Sequence, residues 1–151
     1  DLNFQIIHAG FMFMDETKAL LMSFPNIYAT LEGSFLFLLL DKPRFTRMLT
    51  DMLLFGGPER IIYSANVPVG HCQIAMDAFA KFNLPEDFAF QLDERARGLI
   101  LGGNLQRLHG INAAERRKLI ADDEFSREVA KNGLREPFSS VKRRLAAGAG
   151  L

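Results

Sequence analysis

The run Arg60-Ile61-Ile62-Tyr63-Ser64-Ala65-Asn66-Val67-Pro68-Val69 constrains the fold of this chain most. A charged residue opens it, strand-favouring side chains follow, and small polar residues and a proline close it. Buried parallel strands read this way when they deliver a polar group to their C-terminal end. Phe4-Gln5-Ile6-Ile7-His8-Ala9-Gly10 repeats the pattern and delivers a histidine. Polar side chains at the C-terminal ends of successive strands are where α/β barrels keep their chemistry.

The elements between these runs alternate. Phe4–His8 is expected to be a strand. Asp15–Phe24 reads as a helix capped by Asp15 and stopped by Pro25, and Asn26–Leu31 reads as a second strand closed by Glu32-Gly33-Ser34. The six-residue apolar run Phe35–Leu40 fits either a short buried helix or a lid over a pocket. Pro43 suits a helix start, and Phe45, Met48, Leu49, Met52 and Leu53 then recur at helical spacing up to Gly56-Gly57-Pro58. Arg60–Asn66 is the third strand. Helices are expected at His71–Phe82, Pro85–Leu101 and Asn104–His109, with Gly102-Gly103 as a break and Asn104 as a fresh cap. Strands alternating with helices make a parallel sheet, at roughly thirty residues per unit, the spacing of an eight-fold barrel. From Asn112 the composition turns charged. Asn112–Lys131 reads as one amphipathic helix, Pro137–Leu145 as another, and Ala146–Leu151 as a frayed end. The division expected is 1–111 for the barrel part and 112–151 for a helical extension.

Bulk properties exclude several partner classes. Lys+Arg and Asp+Glu are both 18, so no basic excess points to nucleic acid. No apolar run approaches the ~20 residues of a membrane span, and no signal peptide is visible. The single cysteine, Cys72, fits a reducing compartment and a cytoplasmic protein. His71 and Cys72 are adjacent and lack metal-site spacing, and His109 suits a helix end.

Two residues remain as candidates for chemistry, His8 and Asn66. A histidine before a glycine at a strand end can ligate a metal or move a proton. Asn66 aims an amide at the same rim, or simply turns the chain.

In order, strand–His-Ala-Gly, Pro-Asn-Ile-Tyr, Arg-Ile-Ile-Tyr-Ser-Ala-Asn-Val-Pro and Asn-Leu-Gln-Arg-Leu (Asn104–Leu108) resemble the C-terminal part of the amidohydrolase-related family. That family includes aminocarboxymuconate-semialdehyde decarboxylase-like enzymes and lactone hydrolases. The resemblance covers roughly residues 2 to 111. It implies the last three βα units of a (β/α)8 barrel with an added helical tail. The implied activity is metal-assisted hydrolysis of a lactone or amide, or non-oxidative decarboxylation of a small carboxylic acid. A divalent metal, zinc, would be held by His8 and Asn66, and His8 would be the acid/base group or transition-state stabiliser. Asn66 stands where the family has aspartate, and an amide cannot act as general base. The remainder of the barrel would come from the same or another chain, in an oligomer. The alternative is a catalytically degenerate accessory subunit that binds a partner protein.

Overall fold

Three short runs of β-branched and aromatic residues build the sheet: β1 (Phe4–Ile6), β2 (Ile27–Thr30) and β3 (Ile61–Ile62). They lie in the order β1-β2-β3 and pair in parallel. Phe4 sits opposite Ile27 and Ile6 opposite Ala29, and Ala29 and Thr30 face Ile61 and Ile62 across the other ladder. The chain is therefore α/β with a small parallel sheet. The computed structural model describes residues 2–65 and 72–134, and the chain divides into two units, Asp1–Gly110 and Ile111–Leu151.

Parallel neighbours need crossover connections. The first is α1 (Met14–Ser23). It starts at Met14, one residue earlier than expected, with Phe13 rather than Asp15 at the cap position and no side-chain cap; Asp15 lies in the first turn and pairs with Lys18 at 2.7 Å. The second comprises a 3-10 turn, Gly33–Leu36, a single helical turn α2 (Phe37–Leu40) and α3 (Lys42–Gly56). Asp41 caps α3 by accepting the Arg44 N–H at 3.1 Å, and Pro43 occupies its first turn. The expected stripe Phe45, Met48, Leu49, Met52 and Leu53 is buried. The ambiguous run Phe35–Leu40 is split by helical geometry: Phe35 and Leu38 enter the core, while Leu39 and Leu40 face out.

Phe35 is the hub of that core. Its ring meets Phe45, Tyr63 and Phe79 at centroid distances of 5.4, 4.8 and 5.2 Å, each in an edge-on arrangement. Such packing contributes beyond plain area burial. It also anchors the segment that follows β2, which carries the site described below.

The third strand is shorter than expected. Pro58–Arg60 forms a 3-10 turn before it, and past Ile62 the Tyr63 N–H leaves the ladder for the Ile100 carbonyl at 2.8 Å. α4 (Cys72–Ala80) ends short of Phe82, which stays buried. The helix expected over Pro85–Leu101 is not there as one piece. Residues 81–93 carry no helix, and α5 (Glu94–Gly98) begins where the Asp93 carboxylate accepts the Ala96 N–H at 2.7 Å. The expected break at Gly102-Gly103 is a kink, with Gly102 in extended, non-helical backbone at φ 177°. Leu99–Gly103 forms a π-helical turn leading into α6 (Asn104–Leu108). This carries Asn104 inward rather than leaving it as an exposed cap. Asn104 is fully buried, and its amide donates to the Pro58 and Ile61 carbonyls at 2.6 and 2.8 Å. It ties α6 to the third strand.

In the second unit, the single helix expected over Asn112–Lys131 is two helices. α7 (Ala113–Ile120) is capped by Asn112, and α8 (Glu124–Asn132) by Asp123, which accepts the Ser126 N–H at 2.7 Å. A strong capping residue in mid-sequence starts a new helix. The expected helix Pro137–Leu145 and the end Ala146–Leu151 lie outside the described residues. Among those residues, no helix is long and apolar enough to cross a membrane.

Candidate functional site

β1 stops at Ile6, two residues before the histidine expected to end it. The reason is local. His8, Ala9, Gly10 and Phe11 all take positive φ, at 55°, 53°, 76° and 42°. Left-handed backbone costs an L-residue about 1–2 kcal/mol, so three non-glycine residues in succession around Gly10 need outside support. Gly10 is required as glycine: a Cβ there would sit 1.9 Å from the Thr17 hydroxyl.

The support comes from the segment after β2. The Glu32 carboxylate accepts the His8 N–H at 2.7 Å and the Thr30 hydroxyl at 2.8 Å. The Ser34 hydroxyl donates to the His8 carbonyl, and the Gly33 N–H donates to His8 Nδ1 at 3.2 Å. Ser34 and Thr30 are buried. So both backbone groups of His8 and one ring nitrogen are held by Glu32-Gly33-Ser34.

The last of these bonds sets the chemistry of the ring. A backbone N–H can only donate, so Nδ1 must supply its lone pair. In the neutral imidazole the proton then sits on Nε2. His8 is thereby a hydrogen-bond donor at Nε2. It lines an open cavity of about 470 Å³ together with Phe11, Gly33, Leu36, Phe37 and Leu40. These walls are mainly apolar, which strengthens any hydrogen bond made inside them.

Asn66, the other expected site residue, lies outside the described residues, as does His71. His109 is exposed beyond the end of α6. Cys72 is half-buried, and its carbonyl accepts the Tyr63 hydroxyl at 3.0 Å. Burial pushes the Tyr63 phenol up from its usual value. Among the described residues, no three His, Cys, Asp or Glu side chains come together to hold a metal ion. His8 uses its Nδ1 lone pair on Gly33, and its Nε2 carries a proton, so ligation by this residue requires rearrangement.

Glu32 and Ser34 were legible in the sequence only as strand-closing residues. The available signal was their position just past a strand C-terminus, where polar groups gather in α/β proteins. Nothing in the local pattern says that Glu32 reaches back to a residue 24 positions earlier.

No protein-family model matches the chain, and no curated protein matches it. Among solved structures it is similar to a dihydroxybenzoic acid decarboxylase from Polaromonas sp. JS666 with bound manganese and the inhibitor 2-nitroresorcinol. The identity is 28%, over 66% of this chain and 24% of that one, with a TM-score of 0.43. A 2,6-dihydroxybenzoate decarboxylase complexed with 2,6-dihydroxybenzoate is 26% identical over 65% of this chain and 23% of that one, at a TM-score of 0.41. A 2,6-dihydroxybenzoate decarboxylase from Rhizobium is 21% identical over 74% and 36%, at 0.47. The chain thus spans only 24%, 23% and 36% of the length of these proteins. They are members of the amidohydrolase-related superfamily, the family that the motifs between Phe4 and Leu108 resemble.

Proposed function

We propose that this chain is the C-terminal part of an α/β-barrel enzyme that removes CO2 from a small carboxylic acid without oxidation, with His8 as the group that stabilises charge in the transition state. The observation that carries this reading is the Gly33 N–H donating to His8 Nδ1. A neutral imidazole held with its proton on Nε2 is a poor metal ligand and a weak acid, but a good oriented donor. In a hydroxybenzoic acid the carboxyl-bearing carbon first takes a proton originating from solvent, which breaks the aromaticity of the ring. Cleavage of the C–C bond then releases CO2, and the bonding pair returns to the ring π system and onto the ortho oxygen. A fixed donor stabilises such charge without reorganising, and removing one typically costs 10²–10³ in rate.

Asn66 supports decarboxylation over hydrolysis. Hydrolysis needs a base for the attacking water, and the amide standing in place of the family's aspartate cannot supply one. Decarboxylation activates no water. A divalent metal, zinc in the family reading with Asn66 as a ligand, would act as a Lewis acid. The described residues do not form a complete holder for it, so its ligands would come from elsewhere in the intact protein. The remaining barrel strands, in the same or another chain, would cover the open edge of β1, where Leu2 and Phe4 stand 75% and 54% exposed.

The test is turnover of 2,6-dihydroxybenzoate and related acids by the intact protein in D2O. The expected result is one CO2 per product and deuterium at the vacated carbon. His8→Phe should lower kcat/KM by 10²–10³. Lactone or amide hydrolysis in place of CO2 release, or a His8→Phe variant of undiminished rate, would overturn the reading.

A further inference from the structure

The apolar run Phe35–Leu40 follows directly on the segment that clamps His8, and the core uses only two of its residues. Phe35 and Leu38 are buried, whereas Leu40 stands 80% exposed. Helical geometry divides them. Leu36 and Leu40 lie one turn apart on the same side, and with Phe37 they line the cavity beside His8. Leu39 is exposed too, but it does not line that cavity. A single exposed leucine needs no explanation; apolar side chains gathered around one cavity mark a ligand surface.

The aromatic side of the cavity is held in place. Phe11 and Phe37 stack at 5.8 Å, and the Arg44 guanidinium lies over the Phe37 ring at 4.2 Å and over the Phe11 ring at 5.3 Å. Arg44, Asp41, Arg47 and Asp51 line a neighbouring cavity that shares the two rings. The rings therefore stand between a charged, balanced cavity and an apolar one. Among the described residues that line the apolar cavity, His8 alone has a polar side chain. The Gly33 N–H already donates to His8 Nδ1. That leaves His8 Nε2 as the side-chain donor for one polar group of a ligand, against a wall that is otherwise mainly apolar, the usual make-up of a small-molecule site.

Resting on the decarboxylase reading, we infer that the substrate carries an alkyl chain on its ring, so that the substrate class is an alkyl-substituted hydroxybenzoic acid. The hydroxyl oxygen ortho to the departing carboxylate faces His8 Nε2, and the chain runs over Leu36 and Leu40. At a rise of about 1.5 Å per residue these two leucines are about 6 Å apart along the helix, roughly the extended length of a five-carbon chain. Taking such a chain out of water supplies binding energy remote from the reacting carbon, which holds the ring in position for protonation.

The experiment is calorimetric titration of the intact protein with 5-alkylresorcinols carrying methyl, propyl and pentyl chains. These are the products that 6-alkyl-2,4-dihydroxybenzoates leave on losing CO2. Full burial of a methylene gives about 4-fold in affinity, and an open cavity about half of that free energy, or roughly 2-fold per methylene. The pentyl compound should therefore bind at least ~10-fold more tightly than the methyl compound. Leu40→Asp, at an exposed position, should bring this ratio to within ~3-fold, because the new carboxylate faces the chain. Leu39→Asp, the same change on a residue outside the cavity wall, should leave the ratio as it is. Equal affinities along the series, binding of none of the three, a ratio that Leu40→Asp does not lower, or an equal loss from Leu39→Asp would overturn the inference. The two readings fail separately. Chain-dependent binding by a protein that releases no CO2 sinks only the decarboxylase reading. His8-dependent turnover without chain dependence sinks only the alkyl subsite.

Discussion

Replacing Glu32 by alanine tests whether the left-handed turn at His8 is held from outside. Glu32 accepts two hydrogen bonds, from the His8 N–H at 2.7 Å and the Thr30 hydroxyl at 2.8 Å. The two donors fare differently when the carboxylate goes. Thr30 has one proton and a second acceptor in reach, the Ile6 carbonyl at 3.3 Å, so it re-pairs. The His8 N–H does not, and a hydrogen bond to a charged group contributes ~1.5–3 kcal/mol. Glu32 is only half-buried, so water offsets part of the loss. Against this, the positive φ values of His8, Ala9 and Phe11 store strain that the lost bond no longer restrains. The expected cost is ~2–3 kcal/mol in urea denaturation, with an unchanged slope against denaturant. The His8 amide should exchange with solvent faster, and turnover should fall because the imidazole loses its fixed direction. Glu32→Gln keeps an acceptor oxygen and should cost ~1 kcal/mol. A Glu32→Ala variant within ~0.5 kcal/mol of the parent, the ordinary range for a surface change, would refute the argument. So would a large loss of stability with His8 amide exchange unaltered.

Gly10→Ala should cost ~2–4 kcal/mol by thermal or urea melting, from a positive φ and a Cβ placed 1.9 Å from the Thr17 hydroxyl. Adding Thr17→Ala should recover part of that, and no recovery would mean that the clash is not the cause. Asn104→Ala should cost ~2–4 kcal/mol through the two buried carbonyls it serves, and Asn104→Asp should cost more at neutral pH, because an acceptor would then face the Pro58 and Ile61 oxygens. The reverse order in denaturation would contradict the assigned donor role. Tyr63, raised from its usual 10.0 first by burial, binds its proton more tightly folded than unfolded. Its contribution is therefore complete below pH 10 and is lost as pH rises through the folded value. Tyr63→Phe should flatten that alkaline loss, and an unchanged stability–pH curve above pH 10 would show that the phenol is not buried.

The elements that proved legible share one property: their pattern repeats along the chain. The alternation of strand and helix announced a parallel sheet, and β1, β2 and β3 pair in that order. The stripe Phe45, Met48, Leu49, Met52 and Leu53 announced α3 and its buried face, and all five are in the core. The site was legible only at one point. His8 stood out as a polar group after a strand, whereas its clamp did not. The bonds from Glu32, Gly33 and Ser34 bridge positions 24 to 26 apart in sequence, and no local propensity encodes such a reach.

Asn104 and Asp123 separate the two kinds of information most clearly. Both are capping-type residues next to a helical pattern, and local chemistry alone marks either as a helix start. For Asp123 that is the outcome, because its surroundings are solvent and the nearest donor is the Ser126 N–H. For Asn104 the π-helical turn before it rotates the side chain inward, onto carbonyls contributed by residues more than 40 positions away. Periodicity and capping chemistry, which act within a few residues, were set by the sequence itself. Which way Asn104 faces, how His8 is turned and where its proton sits were decided by packing, because each depends on a donor or acceptor that only the folded chain brings within reach.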